Sequence, residues 1–146
     1  MSTRPSPGNR AEYAAFYPLQ TRWQDNDMYG HMNNAVHYSL FDTAVNGWLI
    51  AQGVLDPRAS DVIGLVVESG CRYFAELGFP APLEAGLRVG HLGRSSVRYE
   101  IGLFAEDSQT AAAEGYFTHV FVDRQTRKPT PLTPELRSKL EALICS

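Results

Sequence analysis

Two apolar stripes run along one helical segment, and nothing else in the chain limits its fold as strongly. Val36, Leu40, Ala44, Trp48 and Ala51 form the first stripe, and Tyr38, Phe41, Val45 and Leu49 the second. Ser39, Asp42, Thr43, Asn46 and Gly47 leave only a thin polar or small flank. A helix patterned this way has to be covered on most of its sides. Asn33 or Asn34 can supply the N-cap, where a side-chain oxygen accepts an otherwise unpaired backbone N–H. Gly53 suits the position just past the C-terminus, where the backbone turns left-handed.

Most of what remains reads as strand. Tyr17–Gln24 alternates, Val62–Glu76 is a long apolar and β-branched run, and Leu83–Leu92, Ser96–Phe104 and Ala112–Asp123 follow. Gly93-Arg94-Ser95 is a hairpin connection between two of them. A short closing helix is expected over Pro134–Leu143, capped by Thr133, with Leu136, Leu140 and Leu143 on one side. A chain of 146 residues suits one domain. We place it at residues 13–146, behind a flexible tail over 1–12 that is rich in Ser, Pro, Arg and Gly. The expected fold class is α+β, with the long helix packed beside a curved antiparallel sheet of about five strands. Such a sheet leaves an open edge, so dimerisation by edge pairing is expected.

Composition removes several classes of function. The net charge of −3 gives no basic face for nucleic acid. There is no run of about 18 apolar residues to cross a membrane, and the first residues lack the apolar core of a secretory signal. Cys71 and Cys145 make neither a disulfide framework nor a metal cluster, and read as free thiols of a cytoplasmic protein. His31 and His37 are six residues apart, which is not the spacing that lets one helix hold a metal. No metal and no cofactor are expected.

The chemistry is concentrated in the polar stretch ahead of the helix, Asp25-Asn26-Asp27-Met28-Tyr29-Gly30-His31-Met32-Asn33-Asn34. A helix start offers unpaired N–H groups and partial positive charge, which suit a polarised carbonyl or a developing oxyanion. A carboxylate held nearby can attack that carbonyl or take a proton from water. Together these supply what acyl transfer to water requires.

The pattern R-W-x-D-x-D-x-x-G-H-x-N-N resembles the 4-hydroxybenzoyl-CoA thioesterase branch of the hotdog superfamily. The likeness runs from about Tyr17 to Thr133, through LGRSSVRYEIGLF and AAEGYFTHVFVDRQTRKPTPL. It implies a hotdog fold with a five-stranded antiparallel sheet wrapped around the long helix, a homodimer or homotetramer with active sites at the subunit interface, and hydrolysis of an acyl-CoA thioester. It also implies that Asp27 is the catalytic carboxylate and that the Asn34 backbone amide polarises the carbonyl. Gly30 matches the loop glycine that lets the chain approach the acyl group, and His31 is a candidate to orient Asp27 or touch substrate. His31 stands where the aryl-CoA enzyme has an aliphatic residue, as in related bacterial acyl-CoA thioesterases with G-H-x-N-N. Asp25 reads as loop structure paired with Arg22, and Glu68 as a solvent-facing strand residue. Arg94, Ser95, Ser96, Arg124, Arg127 and Lys128 are candidates for binding CoA, the cations through charge-assisted bonds to phosphate.

Two other readings start from the same residues. A hotdog hydratase or dehydratase spaces its aspartate and histidine with four residues between, whereas Asp27 and His31 have three between and Asp25 and His31 have five. A non-catalytic acyl-binding protein has no need of the Asp27 carboxylate.

Overall fold

The computed structural model describes residues 5–145. Among them the order is β1 (Ala15–Leu19), α1 (Val36–Ala51), β2 (Val62–Tyr73), β3 (Leu83–Leu92), β4 (Ser96–Ala105), β5 (Ala113–Asp123) and α2 (Pro134–Glu141). The five strands form one antiparallel sheet in the order β1-β3-β4-β5-β2. This is the expected α+β architecture, with α1 on one face of the sheet.

Alternation along the strands decides which face meets the helix. Leu83, Ala85, Leu87 and Val89 of β3, Val97, Tyr99, Ile101 and Leu103 of β4, and Ala113, Phe117, His119 and Phe121 of β5 are all buried. They form one core with Leu40, Phe41, Ala44, Val45 and Leu49 of α1, to which Leu136, Leu140 and Leu143 add a cover at one end. Gly115 belongs to this surface because the Phe41 ring occupies the space a side chain would take. Arg88, Arg98, Glu100, Glu114 and Tyr116 alternate with the core residues and face the other side.

Both ends of α1 follow from local bonding. Asn33 accepts the Ala35 N–H on its side-chain oxygen and the Val36 N–H on its carbonyl. The N-cap itself is Ala35, which has no side chain to do this, so the expected capping falls to Asn33 two residues earlier. At the other end Gly53 adopts φ +75°. Its N–H reaches the Ile50 carbonyl while that of Val54 reaches Leu49, a Schellman closure.

Three expectations change. The first strand lies at 15–19 rather than 17–24, because Arg22 to Asp25 close a short 3-10 turn. Second, α1 is covered less completely than its two stripes imply: Tyr38 and Ile50 stay exposed. The β2 edge beside α1 is equally open, exposing Leu65, Val66 and Val67. Third, the tail expected over 1–12 is fixed in part. Residues 1–4 lie outside the described residues, and residues 8–12 are docked. Arg10 bonds the carbonyls of Ala105, Glu106 and Ser108 and pairs with Glu84 at 2.9 Å, while the Gly8 N–H reaches Glu114. No helix among the described residues is long and apolar enough to cross a membrane.

Candidate active site

The loop between β1 and α1 is a small closed hairpin. Asn26 and Met32 pair across it, the Asp27 N–H reaches the His31 carbonyl, and the Gly30 N–H returns to the Asp27 carbonyl. Gly30 sits at φ +84°, a left-handed conformation in which other residues are strained. The segment after β2 clamps this hairpin from outside. The Met32 N–H bonds the Leu77 carbonyl at 2.7 Å, and the Asn26 side chain accepts from the Phe79 N–H.

The two aspartates of the loop have different surroundings. Asp25 is buried and accepts from the Arg22 backbone N–H, Nε and Nη2 at 2.7, 3.1 and 2.8 Å. The Arg22 guanidinium therefore holds the Asp25 carboxyl below the usual carboxylate range. Asp27 takes one bond, from the Tyr29 N–H at 2.8 Å, on Oδ1. Its Oδ2 lies 3.7 Å from His31 Nδ1, and His31 Nε2 lies 3.9 Å from Glu76 Oε1.

A cleft of about 440 Å³ opens beside these groups. Asp27, His31 and Asn34 line it together with His37 of α1 and with Tyr73 and Glu76 at the end of β2. From Met32 to Val36, the N–H groups of Met32, Asn33, Ala35 and Val36 all have acceptors within the chain. That of Asn34 has none among the described residues. The cleft thus brings a carboxylate with a free oxygen next to the residue that carries the one unpaired amide of the helix approach. Such an arrangement can bind and attack a polarised carbonyl.

A second cavity, about 320 Å³, lies on the other face of the sheet among Arg88, Arg98, Glu100, Glu114 and Tyr13. Its carboxylates are already taken. Glu100 lies between Arg88 and Arg98, and Glu114 accepts from Tyr13 and Gly8. We therefore locate the candidate chemistry at the Asp27 cleft.

The expected CoA-binding residues are elsewhere in this chain. Ser96 pairs with Val120, and Arg124, Arg127 and Lys128 follow the end of β5 at Asp123, which pairs with Val62. The Asp27 cleft lies at the Tyr73 end of β2, roughly 35 Å of strand away. Arg94 is exposed in the β3–β4 turn, the Ser95 carbonyl accepts from Phe121, and Arg127 (φ 63°) and Lys128 are exposed in the turn after β5. Arg124 is tied to the carbonyls of Ser60 and Pro57 at 2.6 and 2.9 Å, which hold the α1–β2 connection. Glu68 is exposed and accepts from the Tyr116 hydroxyl on the face away from the cleft.

Sequence reasoning missed Tyr73 and Glu76, and it weighed His37 only as a metal ligand, a role its spacing from His31 ruled against. Tyr73 donates to the Asn34 carbonyl at 2.9 Å, and His37 Nδ1 lies 3.2 Å from the same oxygen. Burial lowers the His37 pKa, so its ring is neutral near pH 7. Burial likewise pushes the nearby Cys71 thiol up to about 11, which makes it a poor nucleophile.

Comparison with known proteins adds the lineage. The thioesterase-like superfamily matches residues 21–140. The PA5185 protein of Pseudomonas aeruginosa strain PAO1 is 51% identical with a TM-score of 0.94, over 97% of this chain and 99% of that one. The PA2801 protein of Pseudomonas aeruginosa is 26% identical with a TM-score of 0.81, over 88% of this chain and 98% of that one. Slr0204, a 1,4-dihydroxy-2-naphthoyl-CoA thioesterase from Synechocystis, shares the fold at 17% identity and a TM-score of 0.77, over 86% of this chain and 93% of that one. No curated protein sequence matches the chain. With a matching profile over residues 21–140 and hotdog-fold neighbours that superpose on nearly all of its strands, the chain belongs to the thioesterase-like superfamily.

Proposed function

We propose that this protein hydrolyses an acyl-CoA thioester to the free acid and CoA, using Asp27 as the attacking or water-activating carboxylate. The observation that carries the reading is the pairing, in one cleft, of the open Asp27 carboxylate with Asn34, whose N–H has no acceptor among the described residues. In this mechanism the thioester carbonyl oxygen takes the Asn34 N–H and the positive end of α1. Asp27 then attacks the carbonyl carbon to give a mixed anhydride that water cleaves, or deprotonates a water that attacks in its place. Either way the C–S bond breaks with its electron pair on sulfur, and the CoA thiolate leaves without a strong general acid. The CoA thioester is a class that the Synechocystis neighbour's name carries, and it enters here as part of the proposal. The short Asp27–His31 spacing disfavours the hydratase alternative.

The active unit in this reading is a homodimer or homotetramer in the cytoplasm. One observation and one geometric consequence favour the oligomer. The β2 edge exposes Leu65, Val66 and Val67, an apolar strand that invites pairing. Antiparallel pairing of two β2 strands also carries the far-end cations of one copy, Arg94, Arg127 and Lys128, toward the Asp27 cleft of the other. There they can meet the CoA phosphates.

The deciding experiment is thiol release from a panel of acyl-CoAs, short aliphatic to aromatic, with crotonyl-CoA hydration measured beside it. Wild-type protein is expected to release thiol, and folded Asp27→Asn to lose at least about a hundredfold in kcat. Wild-type rates in Asp27→Asn, or hydration without thiol release, would remove the proposal. Tight acyl-CoA binding without any release would support the acyl-binding alternative.

A further inference from the structure

The Asn34 carbonyl lies ahead of the hydrogen-bond ladder of α1, which begins after the Ala35 N-cap. Two side chains occupy it instead. The Tyr73 hydroxyl comes from the end of β2 and His37 Nδ1 from the first turn of α1, at 2.9 and 3.2 Å. Since the acceptor is a carbonyl, His37 Nδ1 carries the proton in this contact. The two rings also hold each other, edge to face, with centroids 4.7 Å apart. His37 is buried, whereas Tyr73 is partly open to the cleft.

We propose that Tyr73 and His37 are positioning residues that fix the aim of the Asn34 amide at the thioester carbonyl. The inference rests on the reading of the Asp27–Asn34 site given above. Its physical basis is that an N–H with no acceptor of its own takes its direction from the bonds made by its own peptide's carbonyl and by the neighbouring peptides. The peptide that carries the Asn34 N–H is held at its other end, where the Asn33 carbonyl accepts from the Val36 N–H, and the peptide before it is pinned through the Asn33 N–H, which bonds the Asp25 carbonyl. On the other side, the Tyr73–His37 pair pins the Asn34 carbonyl. With both flanking peptides held, the Asn34 N–H cannot rotate away as charge develops on the substrate oxygen. Donors of this kind act through preorganisation, so loosening the aim weakens transition-state binding more than ground-state binding. The same contacts join β2 to the start of α1, so the two walls of the cleft share one fastening.

Tyr73→Phe removes only the hydroxyl and keeps the ring contact with His37. Expected is a fall in kcat of roughly five- to tenfold, the worth of one hydrogen bond, with KM and the melting temperature nearly unchanged. His37→Asn retains an N–H donor close to the Nδ1 position and should keep more of kcat than His37→Leu. The direct readout is the NMR order parameter of the Asn34 N–H. It should drop in Tyr73→Phe from the rigid range near about 0.85. Wild-type kcat in Tyr73→Phe, an unchanged Asn34 order parameter, or a loss confined to KM would overturn the proposal. Retained activity in Asp27→Asn would instead overturn the reading of the site, while the order parameter still decides whether this clamp holds the amide.

Discussion

Asp25 and Asp27 stand two residues apart with opposite fates: Asp25 is buried and receives three bonds from Arg22, and Asp27 opens on the cleft with a single bond, from the Tyr29 N–H. The first carboxylate holds the loop so that the second can be used. Asp25→Ala should therefore lower the melting temperature by roughly 5 °C and reduce activity with it, since Arg22 loses its partner and the turn opens. Because its pKa is depressed by Arg22, the stabilisation from Asp25 is present above the ordinary carboxylate range and is lost as pH falls through its lowered value. Thermal melts of wild type and Asp25→Ala should converge toward acid pH.

His31 is a lesser contributor. At 3.7 Å from Asp27 it makes no hydrogen bond, and its side chain is about a third exposed. A half-open pair of this kind is worth up to about 1 kcal/mol, so His31→Gln should cost no more than about fivefold in kcat/KM. A loss as large as that of Asp27→Asn would give His31 a direct part in the chemistry.

Deep in the core, His119 sits in a cage of Tyr99, Phe117 and Phe121 with Nδ1 unpartnered. Burial pushes its pKa down to about 4. The unfolded chain then takes up the proton first, so stability is complete above the ordinary histidine value and drains as pH falls from about 6.5 toward 4. The full effect is on the order of 3 kcal/mol. Urea midpoints at pH 7.5 and 4.5 should differ clearly in wild type and much less in His119→Leu.

Phe41 of α1 fills the space beside Gly115 of β5. Gly115→Ala forces a methyl into that ring and should destabilise by roughly 1–3 kcal/mol, read from urea unfolding. The double variant Gly115→Ala, Phe41→Leu should recover part of the loss.

Val66 lies on the open β2 edge. A lysine there keeps the monomer soluble and opposes strand pairing. Light scattering of Val66→Lys should report a monomer, with thiol release lost although the Asp27 loop is untouched. An active monomer would argue that the cleft is complete in one chain.

The regular elements were legible wherever a period met a clear stop. β3 lies at Leu83–Leu92 as read, and β4 and β5 differ from the reading by one residue at a single end. The first strand was misplaced because Thr21, Arg22 and Trp23 continue an alternating pattern that the Arg22–Asp25 turn interrupts. The Asp27–Asn34 stretch is informative because its chemistry is contiguous. Tyr73 and Glu76 reach it only through the tertiary path of β2, about forty residues on, and no local pattern marks them. The far-end cations illustrate the converse. They are plausible phosphate ligands by type, yet one chain alone holds them at the wrong end of the sheet.

The strand order has a consequence for synthesis on the ribosome. β2 is made second but pairs within the chain with β5 alone, the last strand to emerge. The wall that brings Tyr73 and Glu76 to the Asp27 loop therefore has no pairing partner until Ala113 and the residues after it have left the exit tunnel. A nascent chain stopped before β5 cannot hold a finished cleft, which ties the onset of activity to the emergence of that strand.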